Sequence, residues 1–538
     1  MGARIRAALT VGAVTAAMLG IGGAVGAAAV AAAGAGANLS GWTVYHGDAA
    51  GDGAVSGVAS VDTNAPAWTS PSLDGQLYGE PLVTGGRVFV ATENNTVYAL
   101  SAATGAMVWS EHLGTAVPAS RLPCGDITPV VGITGTPVID PGRSELFVVA
   151  DEIVNGAPAH ELVGLDTTTG RTELTQDVDP PGNTPTALLQ RTGLTLSAGR
   201  VVFGFGGNFG DCGSYHGWVV SVPEAGGTTA DFAVDNGHGE SQGAIWMGGA
   251  APAVDAGGHI WVEAGNGSVR SAGLPYDDSD SVLELSPSLS LLQYFAPTTW
   301  ASDNATDLDM STAPALLTDG QVVAAGKSQI AYLLNGASLG GIGGQQALLS
   351  TRCGNDISGG DAFAGTTVYL PCLSGVLAVV VTGAPAALQV LWRSGAGGGP
   401  PITAAGLVWT VGQNGILYGL NPATGGVQVH AAVGAPANHF PTPSVGAGLL
   451  LVPAADRVVA FSARASVSAT STTTSTTSTT TPRSTTSTTH AEASPTHPGS
   501  SSGSDPGVLA AAVVGGLAVA GLATFFGVRA RRRRGLGP

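Results

Sequence analysis

The stretch Val88–Trp109, V-F-V-A-T-E-N-N-T-V-Y-A-L-S-A-A-T-G-A-M-V-W, returns without a gap as Val408–Val429, V-W-T-V-G-Q-N-G-I-L-Y-G-L-N-P-A-T-G-G-V-Q-V. Each copy reads as a strand, a tight turn at Asn94-Asn95 or Asn414-Gly415, a second strand, a turn closed by Thr-Gly, and a third strand. Such a meander has two apolar faces and cannot bury them alone. Its recurrence along the chain therefore requires sheets stacked against one another. Glycine is abundant (82 residues) and only 11% of the chain is charged, which suits many short strands joined by glycine turns.

With the strand-turn-strand unit as a ruler, the chain divides into sheets at about 76–114, 133–179, 190–235, 243–298, 308–352, 356–396, 398–434 and 437–463. The fold class is all-β, an eight-bladed β-propeller, with seven blades as the alternative count. The last unit lacks an outer strand, and residues 42–73, with Trp42 and Trp68, stand unassigned before the first. Pairing the amino-terminal piece onto the last sheet closes the ring and removes its open edges.

The two ends imply display outside a membrane. Arg4 and Arg6, an Ala/Gly/Val run and Ala35-Gly36-Ala37 read as a signal peptide over 1–37, with an uncleaved anchor as the alternative. Residues 464–506 are Ser/Thr/Pro-rich, without apolar residues enough for a core, and read as a disordered stalk. Residues 507–528 are apolar and long enough to span a bilayer, and a basic tail follows at 529–538. Arginines remain on the cytoplasmic side, so the 38–463 propeller is expected outside the cell, anchored by a single carboxy-terminal helix. Thirty-seven acidic residues face twenty basic ones, seven of which lie in the two termini. The exported part is thus strongly acidic and has no electrostatic footprint for nucleic acid.

The four cysteines allow three pairings, and an exported chain should oxidise them. Their positions favour Cys124–Cys212 and Cys353–Cys372. No C-x-x-C or close His pair points to zinc, and no metal ligand set is assigned.

The repeats resemble those of pyrroloquinoline-quinone (PQQ) dehydrogenase-like propellers, whose unit ends in Y-A-L-D-x-x-T-G-x-x-x-W. Tyr98, Ala99, Leu100, Thr104, Gly105 and Trp109 fit, with Ser101 in the Asp position. The second unit keeps Leu165, Asp166, Thr169 and Gly170 but has Leu174 in the Trp position. The seventh keeps Tyr418, Leu420, Thr424 and Gly425, with Val429 there. Trp42–Gly53 resembles the segment that opens such propellers. The resemblance implies that the tryptophans dock neighbouring blades. Catalytic members hold PQQ with a disulfide between adjacent cysteines, a calcium ion and an aspartate base, whereas non-catalytic relatives act as envelope scaffolds. This chain has no adjacent cysteines and no residues matching that calcium site one by one. The resulting expectation is a non-catalytic protein that binds a protein or small-molecule ligand on a propeller face. The alternative is a PQQ- and calcium-dependent alcohol or sugar dehydrogenase.

Three long connections break the blade rhythm: Arg121–Ile133, Asn208–Trp218 and Gly239–Gly249. If Cys124 pairs with Cys212, Asp126 and His216 approach one another, as a general base and its carboxylate would, or as parts of a disulfide-tied brace. Trp246 is the aromatic that would stack on a quinone. Gly336–Gly340 matches G-x-S-x-G but falls where other units carry their turn, and reads as a turn. The acids Asp277, Asp278, Asp280 and Glu284, and Asp303, Asp307 and Asp309, read as solvated acidic loops.

Overall fold

The computed structural model describes residues 41–234, 241–354 and 356–466. The expected signal peptide, the membrane helix, the basic tail and nearly all of the stalk lie outside the described residues. Among the described residues no helix is long and apolar enough to cross a membrane.

Eight sheets of four or five strands follow one another along the chain, with one short two-stranded ribbon, Val117–Pro118 with Val130–Val131, between the first two. Each is built on an antiparallel meander, the fourth adding Gly341–Ile342 in parallel to its outer strand, and the expected sheet limits agree with the observed ones to within a loop. The first blade is Leu82–Thr84, Arg87–Ala91, Thr96–Ser101 and Met107–His112. The seventh, Ile402–Ala404 through Val427–Ala432, repeats it strand for strand. In both, the tight turn uses a residue at positive φ, Asn95 at 57° and Gly415 at 73°, as the sequence pattern requires.

Apolar clusters occupy every blade-to-blade interface. Phe147 and Phe203 join blades two and three, Val202 and Val262 blades three and four, and Phe295 and Tyr332 blades four and five. Leu333 and Leu370 join five to six, and Tyr369 and Val408 six to seven. A last cluster holding Trp409, Phe461, Phe89 and Leu146 runs from blade seven through eight and one to two. Interfaces that return to their starting blade define a closed ring, so the structure is an eight-bladed propeller.

Closure comes from the amino-terminal segment. The last sheet is built from Ser444–Gly446, Leu449–Ala454 and Arg457–Ala465, and its outer positions are filled by Val58–Asp62 and Trp68–Thr69. Asp62 pairs with Ser462 and Trp68 with Ala460. The chain also does something the repeat pattern does not show. Before reaching the last sheet, residues 41–55 cross the ring. Trp42 and Val83 exchange backbone bonds at 2.7 Å, Ile139 N–H donates to Thr43 (2.8 Å), Val254 N–H to Ala49 (2.7 Å), Phe363 N–H to Asp52 (2.9 Å), and Thr403 N–H to Gly53 (2.7 Å). These acceptors face the innermost strands of blades one, two, four, six and seven, so the segment ties the ring from within.

A second tie repeats between neighbours. The Thr-Gly turn of one blade is covered by a tryptophan from the blade before it. Trp68 lies on Gly105, Trp109 on Gly170 and Trp392 on Gly425; a Cβ at these glycines would lie 2.5, 2.6 and 2.4 Å from the indole. Each indole N–H donates to a carbonyl of the covered turn: Trp68 to Ala102 at 2.8 Å, Trp109 to Thr167 at 3.2 Å, and Trp392 to Pro422 at 2.8 Å. The implied docking role of the tryptophans is thus met. Where Leu174 replaces tryptophan, its Cδ1 meets the position of a Cβ on Gly226, at 2.8 Å, so leucine docks the second blade on the third without the hydrogen bond.

Gly170→Ala combines a steric clash with positive φ, at 75°, and should lower stability by about 1–3 kcal/mol. Gly199→Ala has nearly the same φ, 73°, but open space around it, and measures the backbone strain alone. Denaturant midpoints check this: Gly170→Ala must cost clearly more than Gly199→Ala.

Candidate binding site

The connections that carry Cys124, Cys212 and Met247 emerge on one end of the propeller, where second strands turn into third strands and one blade passes to the next. Both disulfides lie there, Cys124–Cys212 with Cα atoms 5.9 Å apart and Cys353–Cys372 at 5.6 Å, the pairings favoured from the sequence. The first ties the connection between blades one and two to the third blade's loop; the second pins the approach to blade six onto its own second strand.

The centre of this face is filled by protein. Gly248, from the connection into blade four, touches Gly359, from the connection into blade six; a Cβ on Gly248 would sit 2.3 Å from the Gly359 nitrogen. Gly359 in turn packs on Pro400 and Phe440, and Gly249 on the Arg191 guanidinium. Residues from blades so far apart around the ring meet only on the axis. Met247, Gly248 and Gly249 are buried and all at positive φ, 48°, 55° and 90°, which turns the backbone down into the mouth. Arg191 lies 5.8 Å from the Tyr78 ring and 5.6 Å from that of Phe440.

From below, the crossing segment raises Tyr45 and His46, stacked with ring centroids 4.3 Å apart, into the same axis. The Tyr45 hydroxyl lies 3.4 Å from Thr442 Oγ1. His46 Nδ1 faces the carbonyls of Asp361 at 3.0 Å and Gly51 at 3.3 Å. Carbonyls only accept, so Nδ1 carries the proton and Nε2 the lone pair. Burial holds this imidazole neutral and pushes its pKa down to about 4.

Around it stand carboxyls taken out of water. Glu80 accepts the His46 backbone N–H at 2.8 Å. Glu263 accepts from the Thr312 N–H at 2.7 Å and pairs with its hydroxyl at 2.9 Å. Glu93 accepts from the Gly132 N–H at 2.8 Å. Asp361 is fully buried, with the Glu263 charge nearby. Burial raises all four, Glu93 to about 7, Glu263 to about 8, and Glu80 and Asp361 well above the ordinary range.

The sequence-derived site residues all lie on this face, in different surroundings. Asp126 is exposed, and the charged and titratable groups it acts on are Arg191 and Tyr78. His216 is half-buried, its backbone N–H donates to Asn183 Oδ1 (3.2 Å), and its ring meets Trp218 edge-on. Trp246 donates from Nε1 to the Gly207 carbonyl at 2.9 Å, and Lys327 Nζ lies 5.8 Å from its ring centre. That lysine, the only one in the sequence, is clamped by Asp307 and Asp309.

The acidic loops require a correction. Asp277, Asp278, Asp280, Glu284, Asp303 and Asp309 are buried, not solvated; Asp307 is the exposed one. Several of these carboxylates cap backbone amides. Asp309 accepts the Asn266 N–H at 2.7 Å, Asp277 that of Val269 at 3.2 Å, and Asp303 accepts the Thr299 hydroxyl at 2.6 Å. Gly336–Gly340 is a turn after Ile330–Asn335, as expected.

Off the axis the face is open. A pocket of about 340 Å³ is lined by Asp211, Gln242, Asn266, Arg270, Asn304 and Asp307, and Phe209, 66% exposed, rises from the disulfide-tied loop that also carries Asp211. Amides and both signs of charge suit a polar ligand with several hydroxyl or charged groups.

A planar quinone on the axis does not fit the residues present. Tyr45 and Met247–Gly249 fill the space, Trp246 has Lys327 over its ring, and the nearest disulfide joins cysteines 88 residues apart rather than adjacent ones.

A carboxyl whose folded pKa is raised stabilises the fold fully at low pH and stops doing so as pH rises through the folded value. The depressed His46 acts oppositely, but only below its unfolded value of 6.5. Above pH 6.5 His46 no longer contributes, while the raised carboxyls still do, with Glu263 titrating at about 8. The thermal midpoint should therefore fall from pH 6.5 to about 8, and Glu263→Gln should flatten the fall.

Comparison with known proteins agrees with this architecture. Residues 22–208 match the family model described as outer membrane protein assembly factor BamB. No curated protein matches the sequence. Among solved structures, the quinohemoprotein alcohol dehydrogenase ADHIIG of Pseudomonas putida HK5 is similar at 14% identity and a TM-score of 0.58, covering 80% of this chain and 81% of that one. The quinohemoprotein alcohol dehydrogenase of Comamonas testosteroni gives 15% and 0.56, over 79% and 81%. A europium-containing methanol dehydrogenase gives 15% and 0.54, over 77% and 89%. At these identities the likeness is one of fold. In its repeats and its fold the chain is similar to the PQQ-like β-propellers, with the family match confined to residues 22–208.

Proposed function

We propose that this propeller is a non-catalytic binding protein, displayed outside the cell on its Ser/Thr stalk and held by the carboxy-terminal helix. The observation that carries the reading is the filled axis. Tyr45 from below and Met247–Gly249 from above take up the position where a cofactor would lie. Ligand recognition then falls to the loop face, where the disulfides fix the connections and the Asp211–Arg270–Asp307 pocket opens beside Phe209. Fixed loops lose little conformational freedom on binding, which favours a rigid recognition surface. The family model's description as an assembly factor supports this reading, and the dehydrogenase names of the fold neighbours support the alternative quinoprotein reading.

Adding PQQ with calcium to the purified chain separates the two. The binding-protein reading expects no thermal shift at saturating PQQ and no reduction of an electron-accepting dye with alcohols or sugars. Bound quinone together with dye reduction overturns it. Display is tested on intact cells: an external protease should remove the propeller while an epitope on the basic tail stays protected.

A further inference from the structure

On the opposite end of the propeller, away from the disulfides and the pocket, three ligand-type side chains of blade four converge. Asp255 and His259 come from the tight turn between Ala253–Val254 and Ile260–Ala264, and Glu284 from the third strand, Ser281–Leu285. His259 Nδ1 lies 3.1 Å from Asp255 Oδ2 and 2.9 Å from Glu284 Oε1. Among the described residues this is the group of three whose ligand atoms all lie within 4.8 Å of one another.

One ring nitrogen carries at most one proton, and two carboxylate oxygens are aimed at it. Hydrogen bonding alone satisfies this arrangement poorly. A shared cation satisfies it, because ligand atoms about 2.1 Å from a metal stand about 3–3.5 Å apart, and all three ligand atoms lie within 4.8 Å of one another. The surroundings hold the carboxylates in that pose. Asp255 Oδ1 accepts the N–H groups of Gly257 at 2.8 Å and His259 at 2.9 Å, and Trp261 Nε1 donates to Oδ2 at 3.3 Å. Glu284, with a side chain only 8% exposed, receives Gln293 Nε2 on its other oxygen, leaving Oε1 toward the histidine. Gln293 is itself anchored, donating to the Gly336 carbonyl at 2.8 Å and accepting the Leu339 N–H at 2.8 Å. Outer donors that orient inner carboxylates are how metal sites keep their geometry.

We propose that Asp255, His259 and Glu284 bind one divalent transition-metal cation, with zinc the best match. An imidazole beside two carboxylates favours zinc over calcium, which takes oxygen ligands alone. Asp255 and His259 are partly exposed, 29% and 38%, so water completes the coordination. The ion joins the turn between the first two strands of blade four to its third strand, and through Gln293 to the turn of blade five. This role is structural and independent of what the loop face binds.

The test is calorimetric titration of Zn²⁺ into the chelator-stripped full chain in detergent. One site per chain is expected, absent in His259→Ala and Glu284→Gln and about tenfold weaker in Gln293→Ala. Ca²⁺ should not compete, and Co²⁺ should give visible absorption bands that His259→Ala removes. Unfolding midpoints of metal-free wild type and variants, expected to agree closely, distinguish lost ligands from lost fold. Equal Zn²⁺ uptake by wild type and His259→Ala, or no uptake by wild type, overturns the proposal.

Discussion

A ring of sheets is held shut by whatever joins its last sheet to its first, and here that joint is made of chain from both ends. Val58–Asp62 and Trp68–Thr69 lie along Arg457–Ala465, giving the last blade the outer strands its own sequence lacks. The same segment then hands Trp68 to the Thr-Gly turn of blade one. Without it, a long apolar strand would be left with an unpaired edge, and two blades would face one another without a tie. Backbone pairing at the rim and the crossing of residues 41–55 at the hub act on the same joint from opposite sides.

Between blades one and two and between six and seven the tie is local and repeated. A tryptophan lying flat on a positive-φ glycine needs the absence of a Cβ as much as the presence of an indole. The tie tolerates Leu174 on Gly226 because the apolar contact survives even when the hydrogen bond does not. Erosion of the tryptophans therefore weakens a repeat signature without opening the ring.

Much of this was readable in the chain. Continuous apolar runs such as Arg87–Ala91 mark inner strands buried on both faces, alternation as in Thr172–Asp177 marks outer ones, and Asn95, Gly105 and Gly415 mark turns at positive φ. Sheet limits, ring closure and disulfide partners follow from such local signals. The unread parts are those where distant residues meet. Nothing near Tyr45 says that it will stand beside Thr442, and nothing near Gly248 says that it will touch Gly359. The aspartates at 277–280 looked solvated because loop composition does not reveal whether a carboxylate points to water or caps an amide. Asp255 and His259 belong to a turn and Glu284 to a strand some 25 residues on, and strand register alone brings them together.

Function on such a scaffold depends on what the axis leaves free. The hub is filled by the chain's own backbone and ringed by buried carboxyls, which is why the proposed function places binding on the disulfide-fixed loops. The central claim is mechanical, and amide hydrogen exchange tests it most directly. If the amino-terminal strands close the ring, amides in Val58–Asp62 and Arg457–Ala465 exchange together, only as the whole propeller opens. Exchange of Val58–Asp62 at the rate of a free chain, while the other blades stay protected, would contradict the account.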